Sequence, residues 1–180
     1  KLCKLFVVPA FTFDNVKGQF PIGFHIWNTS LKERFNYIKA DVYDEKGQLI
    51  GHKGFYGNLP PSINKWIVKF KVNSNNIIGL LSNYPPDFQN QNKVFIKINQ
   101  TARSGPIWIN KTNLIQISIY FAVRHCIEAT WLNDRDQFLY PNDGWKSDTE
   151  FQNDCLAFTL FHTQNKITSK EGINHWIPFT

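Results

Sequence analysis

Methionine is absent from all 180 residues, position 1 included. The sequence therefore reads as a fragment cut from a longer chain, and part of any active site can lie outside it. Long apolar runs are missing too. The longest, Leu114 to Val123, is interrupted by Gln116 and Ser118 and falls short of the ~20 residues that a bilayer-spanning helix needs. No secretory signal opens the chain. Cysteine is scarce and odd in number: Cys3, Cys126 and Cys155 lie far apart. No Cys-x-x-Cys or His-x-x-x-His spacing occurs, which leaves little support for a structural zinc site. Cys126 and Cys155 fall on apolar helical faces and read as buried small hydrophobes in a reducing, cytoplasmic compartment. A glycine-rich phosphate cradle and a Gly-x-Ser-x-Gly elbow are also missing.

What is present excludes a disordered chain, since 16 Phe, 6 Trp and 6 Tyr cannot stay solvated. The length fits one domain, or a domain and the edge of another. The net charge of +6 comes from 16 Lys and 4 Arg against 14 acidic residues. These cations are spread without a block. Such a surface attracts polyanions mildly, or serves solubility alone.

Hydrophobic periodicity predicts strands first and helices last. Leu5 to Val8 is a short buried run. Phe20 to Trp27 is apolar nearly throughout, which predicts a strand covered on both faces. Residues 36–56 alternate as a hairpin around Asp44-Glu45-Lys46-Gly47. Pro60-Pro61-Ser62 precedes a short helix over 63–70. Further strands are expected at 77–81, 94–98 and 105–109. Thr112 or Asn113 caps a core helix running to about Trp131. Ser147-Asp148-Thr149-Glu150 reads as a capping box opening a helix to about His162, with Phe151, Cys155 and Phe158 inward. Strands followed by two packed core helices, without βαβ alternation, predict an α+β fold. The strands are antiparallel or mixed and occupy the first two thirds of the chain.

Three polar segments are candidates for chemistry. Asn83-Tyr84-Pro85-Pro86 is similar to the Asn-Pro-Pro-Tyr motif of amino-methyltransferases, in which Asn accepts from the target amine and the aromatic stacks on a flipped base. A Tyr between Asn and the prolines breaks that geometry and favours a rigid loop. Pro86-Asp87 could open a nuclease signature, but Gln91-Asn92-Lys93 follows too closely to lie on an adjacent strand. Within 131–145, Asp134, Asp136 and Asp143 could converge on a cation. Equally, Arg135 could pair with one of them while the aromatics anchor a loop. Arg124, in mid-helix among apolar residues, is expected to be paired. His125 and His162 are expected to be surface or satisfied core residues.

The runs Val16-Lys17-Gly18-Gln19-Phe20-Pro21-Ile22-Gly23-Phe24-His25-Ile26-Trp27, Ile119 to Arg124, Trp131 to Trp145, Phe151 to Leu156 and Gly172 to Phe179 together resemble a known family. It is the downstream region of bacterial restriction-modification, adenine-specific (N6) DNA methyltransferases. The similarity runs over nearly the whole chain, and the order of the runs is more specific than any single one. It implies that S-adenosylmethionine and the Asn-Pro-Pro-Tyr motif belong to an upstream catalytic domain of the same polypeptide. No cofactor is then expected on this region, which would be inactive alone. It implies that residues 1–30 are the last strands of a catalytic-type sheet and 31–180 one recognition or scaffold region facing double-stranded DNA. Phe13 matches the position of an aromatic set against the extruded adenine, where stacking is worth ~1–3 kcal/mol. Lys17, Lys93, Arg103 and Lys111, in loops or at strand ends, are candidate phosphate contacts. No membrane partner is expected. The rival readings are a standalone binding or structural module, and a restriction nuclease segment using Asp134, Asp136 and Asp143. A standalone module predicts no exposed apolar strand edge near residues 1–28; a fragment of a larger enzyme predicts one.

Overall fold

A computed structural model describes residues 1–18, 20–73, 75–83, 94–98, 107–126, 130–132 and 139–167. The chain divides into two compact units, residues 1–60 with 129–134, and residues 61–128 with 135–180. Strands fill the early part and the two longer helices the late part, so the fold is α+β. The sequence-based boundary lay after residue 30.

The first unit is a four-stranded mixed sheet. Its strands are β1 (Leu2–Pro9), β2 (Pro21–Trp27), β3 (Tyr37–Tyr43) and β4 (Leu49–Tyr56), in the order β2-β1-β3-β4. β1 runs antiparallel to β2 and parallel to β3, and β3 runs antiparallel to β4. Because side chains alternate across a strand, Leu5, Val7, Ala40 and Val42 share one face and are buried. Lys4, Phe6 and Asp41 share the other. The β3–β4 turn forms because Asp44 Oδ1 accepts from the backbone N–H groups of Lys46 (2.9 Å) and Gln48 (2.8 Å). Gly47 supplies the positive φ of 76° that this turn requires.

β2 corrects an expectation. It was predicted to be covered on both faces, yet it is an edge strand whose Phe24, Ile26 and Trp27 are exposed, the last two by more than half. A continuous apolar run signals a surface that can be covered. It carries no information on whether a neighbour is present.

The second unit places helices beside a three-stranded antiparallel sheet. The strands are β5 (Gly79–Asn83), β6 (Val94–Lys97) and β7 (Ile107–Ile109), in the order β6-β5-β7. α1 (Ile63–Ile67) continues into a 3-10 turn at Val68–Phe70. α2 (Leu114–His125) and α3 (Thr149–Phe161) follow, with a 3-10 turn at Asp143–Lys146 between them. Ile63, Ile67, Leu81, Ile96, Ile109, Ile117, Ile119 and Phe121 form its dry core. Trp66 and Trp145 meet edge to face at 5.8 Å within it, the arrangement that aromatic quadrupoles favour.

Several helix details differ from the sequence reading. α2 ends at His125, and Trp131 and Leu132 lie in a turn within the first unit. There the Leu132 carbonyl accepts from Lys53 Nζ. Cys126, expected to be buried, is therefore exposed past the helix end, while Cys155 is buried as expected. The cap of α3 is Asp148, whose Oδ1 accepts from Phe151 N at 2.9 Å. Ser147 instead donates to the Gly144 carbonyl at 3.2 Å and closes the preceding turn. Phe158, expected inward, is 37% exposed. Its ring lies against His162 at 5.0 Å.

Two predictions follow from this packing. Phe121→Ala removes a fully buried ring and should cost about 3–5 kcal/mol in urea unfolding, whereas Asp148→Ala removes one cap and should cost about 1 kcal/mol. Burial, with Asp154 and Cys126 nearby, pushes the Cys155 thiol up to about 11. A raised acid stabilises the fold fully below the thiol's ordinary range and loses that contribution as pH climbs toward 11. Alkylation at pH 8 should therefore modify Cys3 and Cys126 well before Cys155, as read by mass spectrometry.

Candidate nucleic-acid interface

Phe13 ends the 3-10 turn that leaves β1, and its backbone N–H donates to the Ala10 carbonyl at 3.1 Å. Asn15, at φ 66°, turns the chain toward Lys17, which is exposed. The Phe13 ring, 41% exposed, lies 6.1 Å from Phe24. Phe24 in turn stacks on Phe6 at 4.8 Å with the planes 10° apart. The cross-strand register places Phe6 opposite Phe24, and neighbouring aromatics on one sheet face stabilise each other. An aromatic array thus leads from the sheet to the loop that carries Phe13.

The same sheet face carries charge. Lys4 Nζ lies 3.2 Å from Asp41 Oδ2, and His52 Nδ1 lies 3.1 Å from Asp41 Oδ1. The hydrogen bond from Lys4 holds the Asp41 carboxyl below the usual aspartate value, with Coulombic help from Lys4 and His52. Lys4 is consequently neutralised and adds little to any field reaching a phosphate. Tyr37 and Tyr56 meet farther along the face at 4.9 Å. A Cβ at Gly54 would come within 2.9 Å of the Tyr37 ring, so glycine there lets the ring settle on the strand.

In the second unit Lys111 is exposed in the turn that leads from β7 into α2. Asn110 Oδ1 accepts from Thr112 N (2.9 Å) and Thr112 Oγ1 (2.7 Å) and holds that turn. Asn113 stands at the predicted cap position, but its side chain does no capping. Its Nδ2 donates to the carbonyls of Phe70 (3.0 Å) and Trp108 (2.8 Å), and its Oδ1 accepts from Asn110 N at 3.0 Å.

Of the five residues singled out by sequence, Phe13 and Lys17 belong to the first unit and Lys111 to the second. Lys93 and Arg103 lie outside the described residues, as do Tyr84, Pro85, Pro86, Asp87, Asp134 and Asp136. Asp143 is paired with Lys146 at 3.1 Å. Among the described residues, no group of three or more His, Cys, Asp or Glu is placed to hold a metal.

A buried polar network escaped the sequence reading except for one member. Arg124, 1% exposed, donates from Nη1 to Asn64 Oδ1 and to the Tyr120 hydroxyl, both at 2.8 Å. Tyr120 donates to the same Asn64 oxygen at 2.7 Å. The i, i+4 spacing of Tyr120 and Arg124 signals their contact; nothing local signals Asn64. His125 Nε2 donates to the Val94 carbonyl at 2.8 Å, and its ring lies 4.4 Å from that of His162.

No protein-family model matches this chain, and neither a curated protein nor a solved structure matches it. Among the described residues, no helix is long and apolar enough to cross a membrane.

The Asp41 triad yields a pH-dependent signature. Its depressed carboxyl contributes stability above the ordinary aspartate range, and that contribution is lost as pH falls through the lowered value. In Lys4→Met, carboxyl NMR should show the Asp41 titration moving upward toward the ordinary value. An unchanged midpoint would show that Lys4 is not its cause.

Proposed function

We propose that this chain is the downstream, DNA-positioning region of an S-adenosylmethionine-dependent, adenine-specific DNA methyltransferase of a bacterial restriction-modification system. It acts in the cytoplasm, on double-stranded DNA, beside an upstream catalytic domain of the same polypeptide. The observation that carries this reading is the edge position of β2, which among the described residues pairs only with β1 and whose Phe24, Ile26 and Trp27 stand exposed. Natural sheet edges are guarded by lysines, prolines or bulges. Between Pro21 and Trp27, β2 has no lysine and no second proline, and the one irregularity in its pairing with β1 is a register shift between Leu2 and Lys4 at its far end. A strand so composed suits a neighbour from a larger sheet, as a fragment of a catalytic α/β unit requires. A self-contained module would have it covered.

On this reading the methyl donor belongs to the upstream domain. Gly54, Gly57 and Gly79 are closely approached by Tyr37, Phe35 and Ile167. Among the described residues no strand passes through a glycine-rich turn into a helix. The part proposed for this region is to bind and orient. Phe13 offers a stacking face, and Lys17, Lys93, Arg103 and Lys111 supply charge to phosphates.

The test combines DNA binding with methyl transfer. The chain alone should bind duplex DNA with marked salt dependence and transfer no methyl group from S-adenosylmethionine. Reversing Lys17, Lys93, Arg103 and Lys111 to Glu should flatten the log affinity against log salt slope by about 3–4, at roughly 0.9 per phosphate contact. Methyl transfer by the chain unaided would overturn the reading. So would an unchanged slope in the fourfold variant.

A further inference from the structure

The second unit carries a groove of about 580 Å³ between the turn at 75–78 and the turn at 110–112. Both walls are anchored. Ile78 N donates to the Ile109 carbonyl at 2.9 Å and joins them directly, beside the β5–β7 pairing of Gly79 with Ile109. Asn113 holds the second wall through Asn110 N, as described above. The groove is thus built on sheet and core.

Its lining is rich in donors and contains no carboxylate. Lys111 is exposed and has no acidic partner among the described residues. Asn110 has its side-chain oxygen occupied by Thr112, which leaves its amide Nδ2 as the group with unused capacity. Asn75 and Asn76 add two more exposed carboxamides, with Asn76 set at a φ of 52°. Ile77 and Ile78 line the same groove and are half-buried. One cation, several neutral donors and an apolar patch suit an anionic strand whose oxygens accept hydrogen bonds and whose sugars are partly apolar.

We propose that this groove binds the phosphodiester backbone of duplex DNA, with Lys111 as its charged contact and Asn75, Asn76 and Asn110 as neutral donors. The assignment rests on the DNA-positioning reading above and locates the face of the second unit that meets the duplex. It is independent of the sheet edge that carries that reading.

The experiment uses the full chain, a labelled 16-base-pair duplex and anisotropy at several salt concentrations. Three folded variants are compared by circular dichroism and binding. Lys111→Glu reverses the cation. Asn110→Asp keeps the oxygen that Thr112 needs and replaces the free donor with negative charge. Lys46→Glu, in the β3–β4 turn of the first unit, controls for net charge. Lys111→Glu and Asn110→Asp should each weaken binding five- to tenfold at low salt, with Lys111→Glu lowering the salt slope by about 1. Lys46→Glu should stay within twofold of the parent. Amide NMR shifts on adding the duplex should gather at 75–78 and 110–112. If the parent binds with a steep salt slope while both groove variants bind equally well, the groove assignment fails and the DNA-positioning reading stands. If the parent shows no salt-dependent binding, both fail. Tighter capture of a polyglutamate peptide than of the duplex, with shifts at the same residues, would also overturn the assignment.

Discussion

The second unit is organised by one buried carboxamide. Asn113, 2% exposed, uses all of its side-chain chemistry on backbone groups from three places: the end of the α1 region, β7 and the turn before α2. Those backbone groups belong to half-buried residues, and Asn113 supplies each of them with a partner. Satisfying them with one residue sets where α2 begins relative to the sheet. From that start, Ile117, Tyr120, Phe121 and Arg124 fall into the core at helical spacing. The turn that presents Lys111 is fixed by the same residue, so the wall of the groove and the packing of the core share an origin.

Arg124 shows a second consequence of that placement. A guanidinium almost wholly out of water has to be hydrogen-bonded. Helical periodicity brings the Tyr120 hydroxyl to it, and α1 brings Asn64. The triangle among the three side chains joins α1 to α2 through directional bonds as well as apolar contact. Directional bonds discriminate among alternative packings more sharply than apolar surface does.

The first unit is governed by a different imbalance. One face of its sheet holds small and branched residues, buried at Leu5, Val7, Ala40 and Val42. The other exposes aromatic rings around a charged triad, and the outer strand β2 leaves apolar side chains in solvent. Burying such surface stabilises by roughly 25 cal/mol per Å², so a neighbour along this edge is favoured. Phe24, stacked on Phe6 and tilted against Phe13, extends the sheet's aromatic surface into the loop that carries Lys17. An exposed ring, Phe13, and an exposed cation, Lys17, therefore lie within one short segment.

Sequence alone determined which segments become strands and which become helices, because those choices rest on local periodicity and turn chemistry. The hairpin at 36–56, the short helix after Pro60-Pro61, the α+β order and the contact of Arg124 with Tyr120 all followed from neighbours within a few residues, whereas Asn64, the other partner of Arg124, lies 60 residues away. The exposure of β2, the end of α2 at His125 and the use of Asn113 did not. Each depends on what packs alongside, and an apolar run or a cap-like asparagine looks the same with or without that partner. Phe13, Lys17 and Lys111 were expected in loops or at strand ends, and all three are exposed there. The groove beside Lys111 was not expected, since its walls lie more than 30 residues apart in the chain. Only the β5–β7 pairing brings them together, and long-range pairing is the information that a local pattern cannot hold.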